Sequence, residues 1–249
     1  MNVSLYQAAA ALKAADRWQE VATQNLAAVA VPGYKKQDLS FSAVQAGMMP
    51  TATGAPQQLV MPGTTTTTNF QPGQLRPTGV ATDVAIDGPG FFSASLSNGQ
   101  TVYTRDGEFQ LNAQGELVTK QGYPVLSDGG VIQIDPKNPA PLSIAADGTV
   151  SQGSDVKGKL ALTAFNNPQL LTTTSNGYFA ATNPSLQTVD ASGVSVRQGW
   201  LESSNTSAVA EMAHMIAAMR HYEANQRVIQ IQDERMNHAI TELGNPNPS

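Results

Sequence analysis

Three histidines are the residues of this 249-residue chain best suited to binding a metal or transferring a proton. They are His214, His221 and His238, and the first two are seven residues apart. Seven residues of helix span about 10 Å, which is too far for two imidazoles to bind one ion. The chain has no cysteine, which excludes thiol catalysis, disulfides and cysteine-ligated metals. We therefore expect surface histidines and no metal site.

Carboxylates are the remaining candidates for catalysis. Many of the 19 Asp and Glu residues lie in the middle of the chain, several of them in Asp-Gly pairs. These pairs lack the spacing of an EF-hand loop and are typical of hairpin turns. Gly88-Pro89-Gly90 lacks the following Lys-Ser or Lys-Thr of a phosphate-binding loop. No spacing selects a pair of carboxylates for glycoside hydrolysis. We expect no catalytic residue, no cofactor and no small-molecule substrate.

The charge composition restricts the possible partners. Charged residues make up 13% of the chain, and its formal net charge is −5. There is no positive excess to neutralise phosphates, so no nucleic acid partner is expected. The low charged fraction indicates a surface that neighbouring chains largely cover. No apolar run is long enough to span a bilayer as a helix, and the first residues lack the pattern of a cleaved signal peptide.

The two ends of the chain lack glycine and proline and are predicted as helices. Over residues 1–31 apolar residues recur in alternating steps of three and four, which predicts one apolar seam that ends at Pro32-Gly33. Residues 206–243 repeat the pattern after an N-cap at Ser204 or Asn205. The N-terminal seam is Leu5, Ala8, Leu12, Ala15, Gln19, Ala22, Leu26 and Val29. The C-terminal seam is Ala208, Met212, Met215, Met219, Tyr222, Gln226, Ile229, Asp233, Met236, Ile240 and Leu243, with a second stripe at Val209, Ile216, Val228 and Ile231.

The middle of the chain is predicted as an antiparallel β domain over residues 79–200. Short apolar or alternating runs lie between Asn-Gly and Asp-Gly pairs, a strong hairpin signal. Residues 46–78 show neither period and are predicted as an extended linker. The predicted fold is α+β: a discontinuous helical coiled-coil domain from residues 1–45 and 201–249, plus an inserted antiparallel β-rich domain. The predicted strands cover 91–96, 101–104, 108–111, 116–119, 131–134 and 160–165, and Phe91-Phe92 is predicted as core.

Each terminal helix is only marginally stable in water by itself, so we expect the two to pack together. In an ordinary two-helix appendage the apolar faces would close within one chain. In the alternative the faces stay partly open and close only in a polymer. The second apolar stripe favours this alternative, and so do the small alanine faces. Contacts between different surfaces of identical chains build helical filaments when they do not close into a ring.

Three stretches of the chain resemble flagellar rod and hook proteins. The first is residues 25–35, with Asn25-Leu26 and Pro32-Gly33-Tyr34-Lys35, although Ala28, Ala30 and Val31 depart from the family pattern. The second is residues 83–125, which include Tyr103-Thr104-Arg105-Asp106-Gly107. The third comprises Leu201-Glu202, Ser204-Asn205, Glu211-Met212, Met215-Ile216, Arg220, Tyr222-Glu223-Ala224-Asn225 and Ile229. Three matches in the family's order are specific where any one alone is not.

The resemblance implies a structural subunit of the flagellar basal-body rod, of the proximal-rod type in preference to the distal-rod or hook type. Such a subunit polymerises helically into the drive shaft between motor and hook, with itself and other rod and hook subunits as partners. The resemblance also implies a periplasm-spanning location, reached through the flagellar type III export apparatus without a cleaved signal peptide. The alternative from another class is a secreted adhesin-like β module with a helical stalk.

The helix seams and the matching motifs together give the predicted subunit interface. Arg220 and Glu223 could instead form a simple surface pair at i, i+3. The predicted interface residues are Leu5, Leu12, Asn25, Leu26, Pro32, Gly33, Tyr34, Asn205, Met212, Met215, Ile216, Met219, Arg220, Tyr222, Glu223, Asn225 and Ile229.

Overall fold

The computed structural model describes residues 3–49, 57–174, 177–189, 191 and 193–244. In this part of the chain two long helices flank a series of short strands, so the fold is α+β and rich in strand. The helices are α1 (Val3–Ala27) and α2 (Ala208–Gly244). The strands are β1 (Gln37–Met49), β2 (Gln57–Thr68), β3 (Leu75–Pro77), β4 (Val84–Asp87), β5 (Phe91–Ser95), β6 (Thr101–Thr104), β7 (Phe109–Leu111), β8 (Leu117–Thr119), β9 (Leu126–Ser127), β10 (Gly130–Val131), β11 (Leu142–Ile144), β12 (Thr149–Gln152), β13 (Asp155–Lys159), β14 (Leu162–Phe165), β15 (Thr172–Thr173), β16 (Phe179–Ala180), β17 (Thr188–Val189), β18 (Ser195–Gln198) and β19 (Trp200–Glu202).

The chain divides into two compact units, and each is assembled from separate segments. One unit, here called the helical unit, combines α1, the two strands β1 and β2, and α2. The other, here called the β unit, combines Ala28–Lys36 with Thr68–Thr206. Both units therefore need residues from distant parts of the sequence.

Small residues bring the two helices of the helical unit together. The buried seam of α1 includes Ala8, Ala15 and Ala22, and Ala218 of α2 is completely buried. Asn25 in the last turn of α1 and Glu211 in the first turn of α2 line the same cavity, so the helices run antiparallel. Alanine at these positions lets two backbones approach closely, which increases the number of dispersion contacts.

Both predicted helices form, with two corrections at their ends. α1 ends at Ala27, before the predicted residue 31, because the Asn25 side chain binds the returning chain: its Nδ2 donates to Gln37 O at 2.8 Å, and its Oδ1 accepts from Gln37 N at 2.9 Å. The predicted N-cap of α2 at Ser204 or Asn205 is also wrong. The first helical hydrogen bond runs from Glu211 N to Ser207 O, at 3.0 Å.

The predicted linker over 46–78 is wrong where β2 lies. β1 and β2 form a two-stranded sheet, and the threonine run 64–68 suits a strand because its side chains are β-branched. The hairpin packs on α1 in the helical unit: Gln7 Nε2 donates to Val60 O at 3.3 Å, and the rings of Trp18 and Phe41 meet edge to face at 5.7 Å. A two-stranded sheet needs such cover to be stable. Residues 50–56 of the predicted linker lie outside the described residues.

In the β unit a six-stranded sheet has the order β15-β16-β6-β5-β14-β17, and its strand pairs are antiparallel. The other described sheets are β11-β12-β13 and the pairs β18-β4, β19-β3, β7-β8 and β10-β9. Phe91 and Phe92 are buried, as predicted, at 4% and 1% exposure. They lie in two core clusters, Phe92 with Phe109 and Leu117, and Phe91 with Phe179.

Four of the six predicted strands match β5 to β8 within a residue at each end. The prediction for 131–134 fails after Val131, because Ile132 and Ile134 are buried in the core without a regular ladder. The prediction for 160–165 fails for its first two residues, since β14 begins at Leu162. Asn176 of one predicted turn lies outside the described residues.

Candidate functional site

A row of apolar side chains faces solvent along α2. On a helix of 3.6 residues per turn, these side chains point about 100–180° away from Ala218, which is buried in the helical unit. Val209 is 75% exposed and Ile216 is 54% exposed, and their neighbours in the row are about half exposed. We call this row the open face of α2, and it consists of Val209, Met212, Ile216, Met219 and Ile231. Exposed apolar patches of this kind mark interaction sites.

The predicted interface residues on α2 fall into two groups. Met212, Ile216, Met219, Arg220, Tyr222 and Glu223 are exposed. Met215, Asn225 and Ile229 are only partly exposed and lie toward the side of the helix that carries Ala218. On α1, Leu5, Leu12 and Leu26 are partly buried, and the seam alanines between them are buried. The seam of α1 is therefore largely covered within the chain, while α2 keeps a second face free.

Asn205, another predicted interface residue, binds backbone groups within its own chain. In the β unit its Oδ1 accepts from Lys36 N at 2.8 Å, and its Nδ2 donates to Asn69 O at 2.8 Å and to Gln71 O at 3.0 Å. One amide thus binds two segments of the β unit that are far apart in sequence. This use of its side chain explains why Asn205 does not cap α2. Its contact with another subunit stays a prediction.

Pro32, Gly33 and Tyr34 form the turn that opens the β unit, and Gly33 has a positive φ of 66°. Gly33 N donates to Glu202 O at 2.7 Å. A Cβ at this position would lie 2.2 Å from the carbonyl carbon of Arg105. Only glycine combines this φ with so close an approach of a second backbone.

A buried ionic cluster holds three matching motifs together, and sequence reasoning missed it as a unit. Glu202 Oε1 accepts from Lys35 Nζ at 2.5 Å and from Gly73 N at 2.7 Å. Its Oε2 accepts from Arg105 Nη1 at 3.3 Å. Arg105 also donates to Gly88 O at 2.6 Å, and Lys35 donates to Gln71 O at 2.9 Å. The available signal was that each motif contains charged residues although the chain as a whole has few.

Burial dominates the electrostatics of this cluster. It lowers the pKa of Lys35 and the pKa of Arg105, and the Glu202 carboxylate acts in the opposite direction on both. Two cations share one carboxylate. Backbone carbonyls accept hydrogen bonds from other N–H groups of Lys35 and Arg105, while Arg105 Nε is buried without a partner in the described residues. The cluster is thus a structural tie whose loss would leave buried charge unpaired.

In the described residues, the histidine and carboxylate side chains are not gathered into one site. His214, His221 and His238 are exposed, as predicted. Among the residues that the structure describes, no group of three or more His, Asp or Glu side chains could hold a metal ion. No helix in this part of the chain has the length and apolarity needed to cross a membrane. What α2 offers is an apolar face, and a fold with such a face defines a protein that associates with other chains.

Two family models match the chain. One is described as the flagellar hook protein FlgE/F/G D1 domain and matches residues 85–152 of the β unit. The other is described as the flagellar basal body rod FlgEFG protein C-terminal region and matches residues 197–242, which include most of α2.

Curated relatives match over nearly the whole length. The flagellar basal-body rod protein FlgF of Caulobacter vibrioides is 35% identical, over 99% of this chain and 100% of the relative. The rod protein FlgG of Buchnera aphidicola subsp. Schizaphis graminum is 33% identical, over 95% of this chain and 98% of the relative. The Escherichia coli FlgF protein is 29% identical, over 96% and 97% respectively.

The chain belongs to the flagellar basal-body rod protein family. It is a structural subunit of the rod and is located in the flagellar basal body. The predicted family is confirmed, and the relatives give no support to the adhesin-like alternative.

Proposed function

We propose that the chain polymerises helically through its terminal helices into the drive shaft between motor and hook. The observation that carries this proposal is the open face of α2, which stays exposed although the opposite side of the helix is buried within the chain. An unassembled subunit would expose this apolar surface to water. Packing against neighbouring helices removes it from water, at roughly 25 cal/mol for each Å² buried.

The proposed inner part of the subunit is the helical unit, in which α1 and α2 from the two termini form a coiled coil. The antiparallel packing of α1 on α2 and the alanine seam support it. The proposed outer part is the β unit, which contains the predicted β domain over 79–200. The interface comprises the exposed members of the predicted set on α2. The partly buried members on α1 and α2 position the helices, and the members at 32–34 and 205 join segments of the β unit. We assign no active site, cofactor or small-molecule substrate to the chain.

Export through the flagellar type III apparatus, without a cleaved signal peptide, is part of the same proposal. The proposed partners are other copies of the chain and other rod and hook subunits. A proximal-rod position is proposed over a distal one. FlgF and FlgG relatives have similar identity to the chain, so the position along the rod needs a direct experiment.

That experiment is a clean deletion of the gene, followed by electron microscopy of purified hook–basal bodies. We expect a truncated rod without hook or filament, and the length of the remaining rod separates a proximal from a distal position. Intact basal bodies in swimming cells would contradict the proposal. Complementation with the intact gene is the control.

A further inference from the structure

One cavity of the helical unit has an aromatic wall and a buried carboxylate, and the fold described above gives it no role. It lies between α1, β1 and the first turns of α2. We call it the indole pocket and define it by Trp18, Phe41, Glu211 and His214. Asp38 also lines it.

The aromatic wall of the indole pocket is partly exposed to solvent. The rings of Trp18 and Phe41 meet at 5.7 Å with an interplanar angle of 78°, and the Phe41 side chain is 53% exposed. Trp18 also contacts the rings of His214 and His221, at 6.2 and 5.8 Å. An aromatic face next to an open cavity attracts a cation through the quadrupole of its ring.

The carboxylate of Glu211 lacks a strong cationic partner. Its side chain is 5% exposed, and in the described residues its one ion-pair contact is His214 Nδ1, 3.6 Å from Oε2. A buried carboxylate needs a cation or several hydrogen bonds to offset its lost hydration. A carboxylate beside an indole face suits a guanidinium, which stacks on the ring and donates to both oxygens.

Arg220 is a cation whose charge is complementary to that of Glu211. It lies on the open face of α2 beside Ile216 and Met219, and it is exposed. The surface pair with Glu223 that its spacing suggested does not form, and no carboxylate within the described ranges lies at ion-pair distance from Arg220. Nine residues separate it from Glu211, which places the two on opposite sides of α2, so Arg220 does not reach the indole pocket of its own chain.

We propose that the indole pocket of one subunit binds Arg220 of a second copy of the chain. The charges are complementary, and the arginine projects from the face already proposed for assembly. Pocket and arginine lie on different surfaces, so the contact is heterologous and repeats along an open helical series. The proposal rests on the proposed function, because it assigns that polymer a specific contact.

Cross-linking in assembled rods tests this contact. Because the chain has no cysteine, a single introduced cysteine is unique. Cells that lack their own gene would express two tagged copies together, one with Leu39→Cys in the lining of the pocket and one with Ala224→Cys one turn from Arg220, so that Phe41 and Arg220 stay in place. Purified basal bodies would then be treated with a short bismaleimide. We expect a mixed dimer in several-fold excess over the matched pair of Leu39→Cys with Ala239→Cys, which lies about four turns further along α2.

Basal bodies that contain both copies but yield equal mixed dimers with either cysteine position on α2 would overturn the pocket contact and leave the proposed function intact. A chain that is absent from purified basal bodies even with its natural sequence would overturn the proposed function and this contact with it. The two failures are therefore distinguishable.

Incorporation of variants gives a second test that needs no cysteine. Glu211→Gln and Arg220→Gln should each lower the amount of subunit incorporated by about tenfold, the scale of a lost charge-assisted bond. The double variant should lose no more than either single one, since both remove the same contact. Fully additive losses would refute the pairing. Asp16→Asn, at an exposed site of α1 outside the predicted interface, is the control, and circular dichroism should show unchanged helix content in every variant.

Discussion

Gly33 is the residue whose backbone is most narrowly constrained among those of the predicted interface. Its φ is 66°, and a Cβ would meet the Arg105 carbonyl carbon at 2.2 Å. We expect Gly33→Ala to destabilise the β unit by roughly 2–5 kcal/mol, from the positive φ and the overlap together. Urea unfolding followed by near-ultraviolet circular dichroism measures the loss.

Gly99 provides the matched control for this substitution. Its φ is 80°, but a Cβ there would meet nothing within 4 Å. Gly99→Ala should therefore destabilise the β unit only through the strain of the positive φ, by roughly 1–2 kcal/mol. Equal losses at the two positions would show that the approach of Arg105 does not constrain the turn.

Asp106 makes the stability of the β unit depend on pH. Burial is the main cause that raises the pKa of Asp106 from 3.8 to about 6, and the nearby carboxylates of Glu108 and Asp83 act in the same direction. The hydrogen bond that Glu108 N–H donates to Asp106 lowers this pKa, but by less. Between these values the folded state holds a proton that the unfolded state has lost. Stability from this group is complete below pH 4 and is lost as the pH rises through 6. Asp106→Asn should stabilise the β unit by about 1–3 kcal/mol at pH 8 and have little effect at pH 4.

Asp147 is the control with the opposite sign. Hydrogen bonds from Thr149 N–H and then from its hydroxyl lower the pKa of Asp147, so its stabilisation is present at neutral pH and is lost on acidification. Asp147→Asn should give no gain at pH 8. Unfolding curves at pH 4, 6 and 8 for both variants check the prediction, and a gain from Asp106→Asn that does not change with pH would refute it.

At the scale of the element, α2 has two faces with different tasks. Met219 is 47% exposed on the open face, so Met219→Asp should leave the stability of the helical unit within about 0.5 kcal/mol. It should abolish assembly, because the aspartate would have to lose its hydration at an apolar interface. Swimming in complemented deletion cells is the readout, with thermal unfolding of the purified chain as the test of folding.

Ala210→Asp introduces the same charge at an exposed site on the other side of α2. Cells with this variant should swim normally. Swimming by cells that carry Met219→Asp would mean that the open face is not an interface.

The elements that depend on local signals could be predicted from the sequence. Apolar periodicity located both helices, and turn pairs located β5 to β8. β2 was missed because its threonine run has no alternation of polar and apolar residues, and its stability comes from β1 and α1. Ile132 and Ile134 look like strand residues because they are apolar, but the core buries them without a ladder.

At the scale of the whole molecule, the sequence showed the motifs of the site without showing what joins them. Lys35, Arg105 and Glu202 are far apart in the chain, and no period or spacing relates them. Their pairing joins the 28–36 segment, β19 and the segment with Arg105 within the β unit. The Glu202 carboxylate on β19 thus binds Lys35 of the 28–36 segment and Arg105 of the β unit.

This construction predicts where the chain can be truncated. A chain that ends at Thr206 keeps every segment of the β unit and loses α2. We expect it to retain the cooperative unfolding and near-ultraviolet spectrum of the β unit. α1 and the hairpin should become sensitive to protease, because α1 has lost its helical partner. A chain that ends at Gln198 also lacks β19 and Glu202, which leaves two buried cations without their carboxylate, and it should not fold. Limited proteolysis with mass spectrometry distinguishes the two chains. If the chain that ends at Thr206 were digested throughout, the β unit would depend on α2 for its stability.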